Sequence, residues 1–173
     1  MTEISRSILF GKLNPPLYKA LEHAYTFSKM RGNSYVELAH WLHTLLQIEQ
    51  SDIFGLIGRF GIEEAKLRQD ILVAIENLPS GSTSVSDFSE HIQMLVEQAW
   101  TFASLKFNSA QIRSAHLFYT FLKNNHLYNI LIKISPEYLK LKADILADEM
   151  ISITKNSVEN QNTTPDSILQ SQN

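Results

Sequence analysis

Few residues of this chain have both the type and the spacing for chemistry. His40 and His43 stand three residues apart in His40-Trp41-Leu42-His43, so on a helix they share a face. Two imidazoles at that spacing could begin a zinc site, but such a site needs further ligands and groups that orient them. Glu63-Glu64 and Glu90 could serve as general acids. No nucleophile or second carboxylate is paired with them, and carboxylates in a first helical turn are expected simply to complement the helix dipole. The glycines at 55, 58 and 61 do not spell a phosphate loop, because GxxxxGK[ST] is absent. With no cysteine there is neither a disulfide framework nor a thiolate metal site. The chain by itself is expected to be non-enzymatic, with no catalytic residue, metal or cofactor of its own.

The positioning frame is a repeat. Leu21–Phe27 (LEHAYTF) returns 75 residues later as Val96–Phe102 (VEQAWTF), and Asn33-Ser34 returns at the same distance as Asn108-Ser109. Ala39-His40 matches Ala115-His116 at 76, so one residue is inserted in the second copy. Lys66-Leu67 and Asp70-Ile71-Leu72 recur at 74 as Lys140-Leu141 and Asp144-Ile145-Leu146. Two copies of one unit about a pseudo-twofold axis are therefore expected. Tyr119 stands opposite His43, so the histidine pair is not repeated. His40 and His116 are better read as equivalent residues near a helix start, bonded to the preceding loop.

The apolar period is near 3.6 and no alternating strand stands out, which predicts an all-α class. Asn14-Pro15 marks the first repeat helix, with Leu17, Leu21, Ala24 and Met30 on one side. Ser34 is expected to cap the next helix, Ser51-Asp52 opens a short one ending near Gly58 to Gly61, and another runs from Ile62 to about Asn77. LPSGSTSVS at Leu78–Ser86 separates the copies. Asp87-x-x-Glu90 has capping-box form and should open the second copy, with helices over 88–106, 114–124, 127–134 and 136–155. This predicts one domain over 1–155, with four-helix copies at about 14–77 and 87–155, followed by a polar tail or linker start at 156–173. Tyr25, Phe27, Trp41, Trp100, Phe102, Phe118 and Phe121 lie at helical spacing and are assigned to the core.

Net charge −3 and an isoelectric point near 6.1 argue against nucleic acid, which needs clustered cations; Arg31, Lys106 and Arg113 are too scattered. No apolar run reaches the roughly 20 residues of a bilayer span, and residues 1–6 lack a signal-peptide core, so a cytoplasmic setting is expected. One apolar set lacks a counterpart in the second copy: Ile4, Ile8, Leu9, Phe10 and Leu13. It reads as an extra short N-terminal helix lying beside the paired helix starts around Leu13/Phe88 and Leu17/Ile92. An apolar groove there could accept an amphipathic helix from a partner.

Several strings carry a family resemblance: LFGKLNPPLYKALEHA, KMRGNSYVELAHWLHTLL, LPSGSTSVSDFSEHI and FNSAQIRSAHLF. Over about residues 8–153 the chain resembles the N-terminal domains of Clp-type AAA+ chaperones, and specifically those of ClpV-type unfoldases of type VI secretion. The resemblance implies that the domain binds an N-terminal helix of the large sheath subunit, so that the contracted sheath is disassembled by an attached hexameric ATPase. It implies a groove formed by Leu9, Leu13, Leu17, Leu21, Val85, Phe88 and Ile92. ATP and magnesium belong to the ATPase modules, which this chain does not contain, and the domain alone is expected to be monomeric. The chain is either a fragment of such an unfoldase or a free-standing relative. The alternative reading is a recognition domain for general Clp substrates or adaptors.

Overall fold

A computed structural model describes residues 5–85 and 87–162; Ile4, Ser86 and the expected tail after 162 lie outside the described residues. The first copy comprises α2 (Pro15–Met30), β1 (Tyr35–Val36), α3 (Leu38–Leu45), α4 (Asp52–Phe60) and α5 (Glu64–Glu76), preceded by the extra helix α1 (Arg6–Phe10). The second comprises β2 (Asp87–Phe88), α6 (Glu90–Thr101), α7 (Ser114–Lys123), α8 (Asn125–Ile134), α9 (Ala143–Asp148) and α10 (Met150–Ile153). The class is all-α, as expected.

The short extended pieces tie the copies together. Val36 pairs in parallel with Phe88, while Leu13 forms a parallel bridge with Ile112. Leu13 and Phe88 are equivalent in the repeat, and so are Val36 and Ile112. Each copy therefore pairs the lead-in of its first helix with the lead-in of the other copy's second helix. Ser89 N–H donates to Val36 O at 2.8 Å, and Asn14 N–H donates to Ile112 O at 2.9 Å. Sequence periodicity could not show these bridges, because two residues are too few to alternate.

Local chemistry explains most helix starts. Asn14 Oδ1 accepts from Leu17 N–H at 3.0 Å, and prolines occupy the first turn of α2, where their missing N–H costs nothing. Ser34 does not cap α3. The chain stays extended through β1 and the helix begins after Glu37, whose N–H donates to His40 Nδ1 at 2.9 Å. The expected Asp87/Glu90 capping box is not formed either. Ser89 is the cap, its Oγ accepting from His91 N–H, while Asp87 is drawn into β2 and paired with Arg6.

The inserted residue is accommodated as a π-helical turn, Phe102–Lys106, which continues α6. The insertion therefore lies before Asn108-Ser109, not after it as the sequence pairing with Asn33-Ser34 implies. Left-handed Asn108 (φ 51°) corresponds to left-handed Gly32 (φ 72°), and Ser109, whose N–H donates to Ala103 O, corresponds to Asn33, whose N–H donates to Ser28 O. The helix expected over 136–155 is broken into a 3-10 turn (Pro136–Lys140), α9 and α10. Its inward residues are Tyr138, Leu141, Leu146 and Met150. A spacing of five between Leu141 and Leu146 turns an α-helix about 140° off the face, so the backbone extends at Leu141–Lys142 instead. Its predicted start is correct, since Ser135 Oγ accepts from Glu137 N–H at 3.2 Å.

The core is continuous across both copies. Trp41, Phe118, Phe121, Leu17, Leu67 and Ile71 are all essentially inaccessible, each such side chain contributing about 1.5–3 kcal/mol from burial. Trp41 Nε1 donates to Leu17 O and Thr44 Oγ1 to Ala20 O, locking α3 against α2. Met30, expected inward, is exposed in the last turn of α2. The folded unit also passes the expected boundary at 155: residues 157–160 pack back onto both copies, with Glu159 fully buried.

Candidate partner-binding groove

The extra helix α1 shapes the surface around β2. Leu9 and Phe10 turn inward while Ile8 stays 62% exposed. Arg6 anchors the helix by donating to Asp87 and to Gln93 Oε1, and the guanidinium holds the Asp87 carboxyl below its ordinary range. Phe10 meets the Phe88 ring edge-on at 5.6 Å, and Tyr25 of α2 lies 6.2 Å from the same ring. Phe88 is fixed from behind by the β1–β2 pairing.

These rings enclose an open groove of about 290 Å³ between α1, α2 and β2. Phe10, Phe88 and Leu21 supply the apolar surface, Tyr18 and Tyr25 form an amphipathic wall, and Glu22 and Thr26 complete the rim. Tyr18 and Tyr25 are 43% and 39% exposed, so hydroxyl-tipped rings stand ready to cover an apolar guest. The lining contains no nucleophile paired with a base. What it offers is apolar contact, ring edges and one carboxylate.

Of the seven residues expected to form the groove, only Leu21 and Phe88 line it. Leu21 is itself only 2% exposed and forms the groove's floor, whereas Leu9, Leu13, Leu17 and Ile92, at most 3% exposed, do not border the groove and belong to the seam between the copies. Val85 is half-buried and packs against the core beside β2. Sequence reasoning missed Phe10, Tyr18 and Tyr25, and placed Tyr25 in the core. A signal was present: Tyr18, Leu21, Glu22 and Tyr25 fall at i, i+3, i+4 and i+7, a second stripe alongside the core stripe of α2.

Two larger surface hollows, of about 470 and 420 Å³, lie elsewhere. The first includes Asn108, Arg113 and Asp148, the second Pro15, Lys19 and Gln47. Neither gathers phenylalanine and tyrosine rings as the groove does. The histidine pair is structurally committed. His40 Nδ1 accepts from Glu37 N–H and its Nε2 lies 2.9 Å from Asn33 Oδ1, while His43 stacks on Phe27 at 4.8 Å. His116 repeats the arrangement, Nδ1 accepting from Arg113 N–H at 3.1 Å. Both histidines thus fix how a helix leaves its loop, as the repeat suggested. Burial, with Arg31 beside His40 and Arg113 beside His116, lowers each to about 4.

Comparison with known proteins places this arrangement. The Clp repeat (R) N-terminal domain matches residues 12–134. The AAA+ ATPase ClpV1 of Pseudomonas aeruginosa is 43% identical over 160 residues, covering 92% of this chain and 18% of that protein. The chain thus spans about a fifth of the length of the curated relatives it matches. A solved structure concerned with coevolution of the ATPase ClpV, the TssB–TssC sheath and the accessory HsiE protein superposes with a TM-score of 0.89 at 43% identity, covering 92% of this chain and 99% of the other. A second, described by a peptide from the SciI protein of the EAEC Sci1 type VI system, gives 0.82 at 26% identity, covering 90% and 98%. With its duplicated helical unit, its cross-paired lead-ins and this match, the chain belongs to the Clp repeat N-terminal domain family.

Proposed function

We propose that this chain is the recognition domain of a ClpV-type AAA+ unfoldase, and that its groove receives an amphipathic N-terminal helix of the large type VI secretion sheath subunit. The observation that carries the reading is the aromatic groove at α1, α2 and β2, its Phe10, Phe88 and Leu21 surface bordered by half-exposed Tyr18 and Tyr25. A helix with apolar residues at i, i+3, i+4 and i+7 matches such a surface. The likeness to a solved structure described by a SciI peptide supports the same choice of ligand. The domain captures and the attached motor pulls, so nucleotide and magnesium act in ATPase modules and the domain binds its ligand without a cofactor. It works as a monomer displayed on a hexamer in the bacterial cytoplasm, where many weak contacts add to high avidity.

A short helix loses conformational entropy on docking, so an affinity near micromolar is expected, about −8 kcal/mol. The test is a fluorescence-anisotropy titration with the sheath-subunit helix and a scrambled peptide, using the wild-type chain and Phe88→Ala. A buried aromatic at an interface centre is worth about 2 kcal/mol or more, so Phe88→Ala should weaken binding roughly 30-fold. Equal binding of native and scrambled peptides would reduce the chain to a general Clp-type substrate or adaptor domain. Undiminished binding by folded Phe88→Ala would place the site elsewhere.

A further inference from the structure

The segment after α10 makes contacts out of proportion to its length. Glu159 is fully buried, and its carboxyl collects three donors from three helix starts. Asn14 Nδ2, from the cap of α2, donates to Oε1 at 3.0 Å, Ser114 N–H at the start of α7 donates to Oε1 at 2.9 Å, and Asp52 N–H at the start of α4 donates to Oε2 at 2.8 Å. Asn14 and Asp52 belong to the first copy and Ser114 to the second, so one side chain bridges the repeats. On either side, Val158 N–H donates to Gln50 O at 2.9 Å and Asn160 Oδ1 accepts from Arg113 Nη2 at 2.7 Å. Arg113 itself forks onto Asp52 at 2.8 and 2.7 Å.

The apolar side of this attachment is thin. Within residues 155–160 the only apolar side chain is Val158, which is half-buried. The segment is held by polar pins, none of its side chains joins the apolar core, and it lies beyond the residues matched by the family. Burial and the neighbouring Asp52 carboxylate push the Glu159 carboxyl up to about 7, opposed by its N–H donors.

We infer that residues 157–160 form a detachable strap, pinned by Glu159 across the starts of α2, α4 and α7, whose docking fixes where the chain leaves the recognition domain. Residues 161–173 follow the strap in sequence. With the strap docked, the exit lies against both repeats; with it released, the exit point moves out and the domain gains reach relative to whatever follows. An opening that breaks a few polar contacts and exposes little apolar surface is a low-energy local event, separable from global unfolding.

Amide hydrogen exchange on the full chain tests this, comparing wild type with Glu159→Gln and Asn160→Ala. In Glu159→Gln an amide N–H₂ replaces one acceptor oxygen, so a three-donor site loses its match. Exchange at Asp52, Ser114 and 157–160 should accelerate at least tenfold, while the middles of α2 and α6 keep wild-type protection. Asn160→Ala, which leaves the central pin in place, should give the same pattern more weakly. Unchanged exchange of the strap in both variants would overturn the inference. So would loss of protection throughout both repeats, or failure of Glu159→Gln to fold, because Glu159 would then be integral to the domain.

Discussion

His116 offers a quantitative test of how the repeats are held. Its imidazole is 2% exposed and must accept from Arg113 N–H through Nδ1, a role only the neutral ring can fill. Its pKa falls from 6.5 to about 4, through burial first and Arg113 second, with Asp52 opposing. A lowered histidine pKa means that the stabilising contribution is complete above pH 6.5 and is lost as pH falls from 6.5 toward 4. At pH 5 the unfolded chain binds the proton and the native ring largely does not, a difference of about 2 kcal/mol at 1.36 kcal/mol per unit. His40, also lowered to about 4, contributes a similar amount. Glu159 works in the opposite direction: with its carboxyl raised to about 7, the native state gains stability over the same fall in pH, roughly offsetting one histidine. The wild-type profile alone is therefore a poor readout, and the measurement is a difference. His116→Asn keeps an acceptor oxygen near the Nδ1 position and removes the titration. Urea unfolding followed by circular dichroism at pH 7.5 and pH 5.0 should show the variant losing about 2 kcal/mol less than wild type across that interval, although it is less stable at pH 7.5. Equal losses in the two proteins would refute the buried neutral imidazole as the cause.

The remaining predictions concern packing and buried charge. A Cβ at Gly55 would lie 2.2 Å from Ile153 O, whereas one at Gly58 meets nothing within 4 Å. Gly55→Ala should cost about 1–3 kcal/mol by forcing α4 from α10, and Gly58→Ala on the same helix should gain about 0.5–1 kcal/mol; paired thermal melts check both. Asp52→Asn should be severe, because the carboxylate is inaccessible and holds Arg113 by two bonds as well as Ala115 N–H at 3.0 Å. A loss of about 3–5 kcal/mol is expected, lowering the melting midpoint by roughly 10 °C.

The repeat made much of this legible beforehand. The 75- and 76-residue spacings identified His40 and His116 as equivalent, and both do bond the backbone at a helix start. Asn14-Pro15 and Ser135-Pro136 marked real starts because a cap followed by a first-turn proline acts locally, through one side chain and its own next turn. Where a local signal had a distant competitor it misled. Asp87 could have capped α6, yet Arg6, 81 residues away, holds it in β2.

The groove divides along the same line. Amphipathic spacing and the resemblance together pointed to the corner where the aromatic groove lies, at the meeting of the N-terminal helix and the start of the second copy. They could not sort its apolar residues into groove and seam. Leu13, Leu17 and Ile92 are as hydrophobic as Leu21 and Phe88, and nothing in a linear pattern says which face a seam when two copies interlock. Helical class, the duplication and those helix starts without a distant competitor were readable in the linear order of residues, because they follow from period and from contacts within a few residues. It took the folded chain to show which rings remain exposed, that a π-helical turn accommodates the inserted residue, and that Glu159 is buried among three helix starts. Those outcomes depend on packing between segments far apart in the chain, where the same residue type is stable in either place until its neighbours arrive.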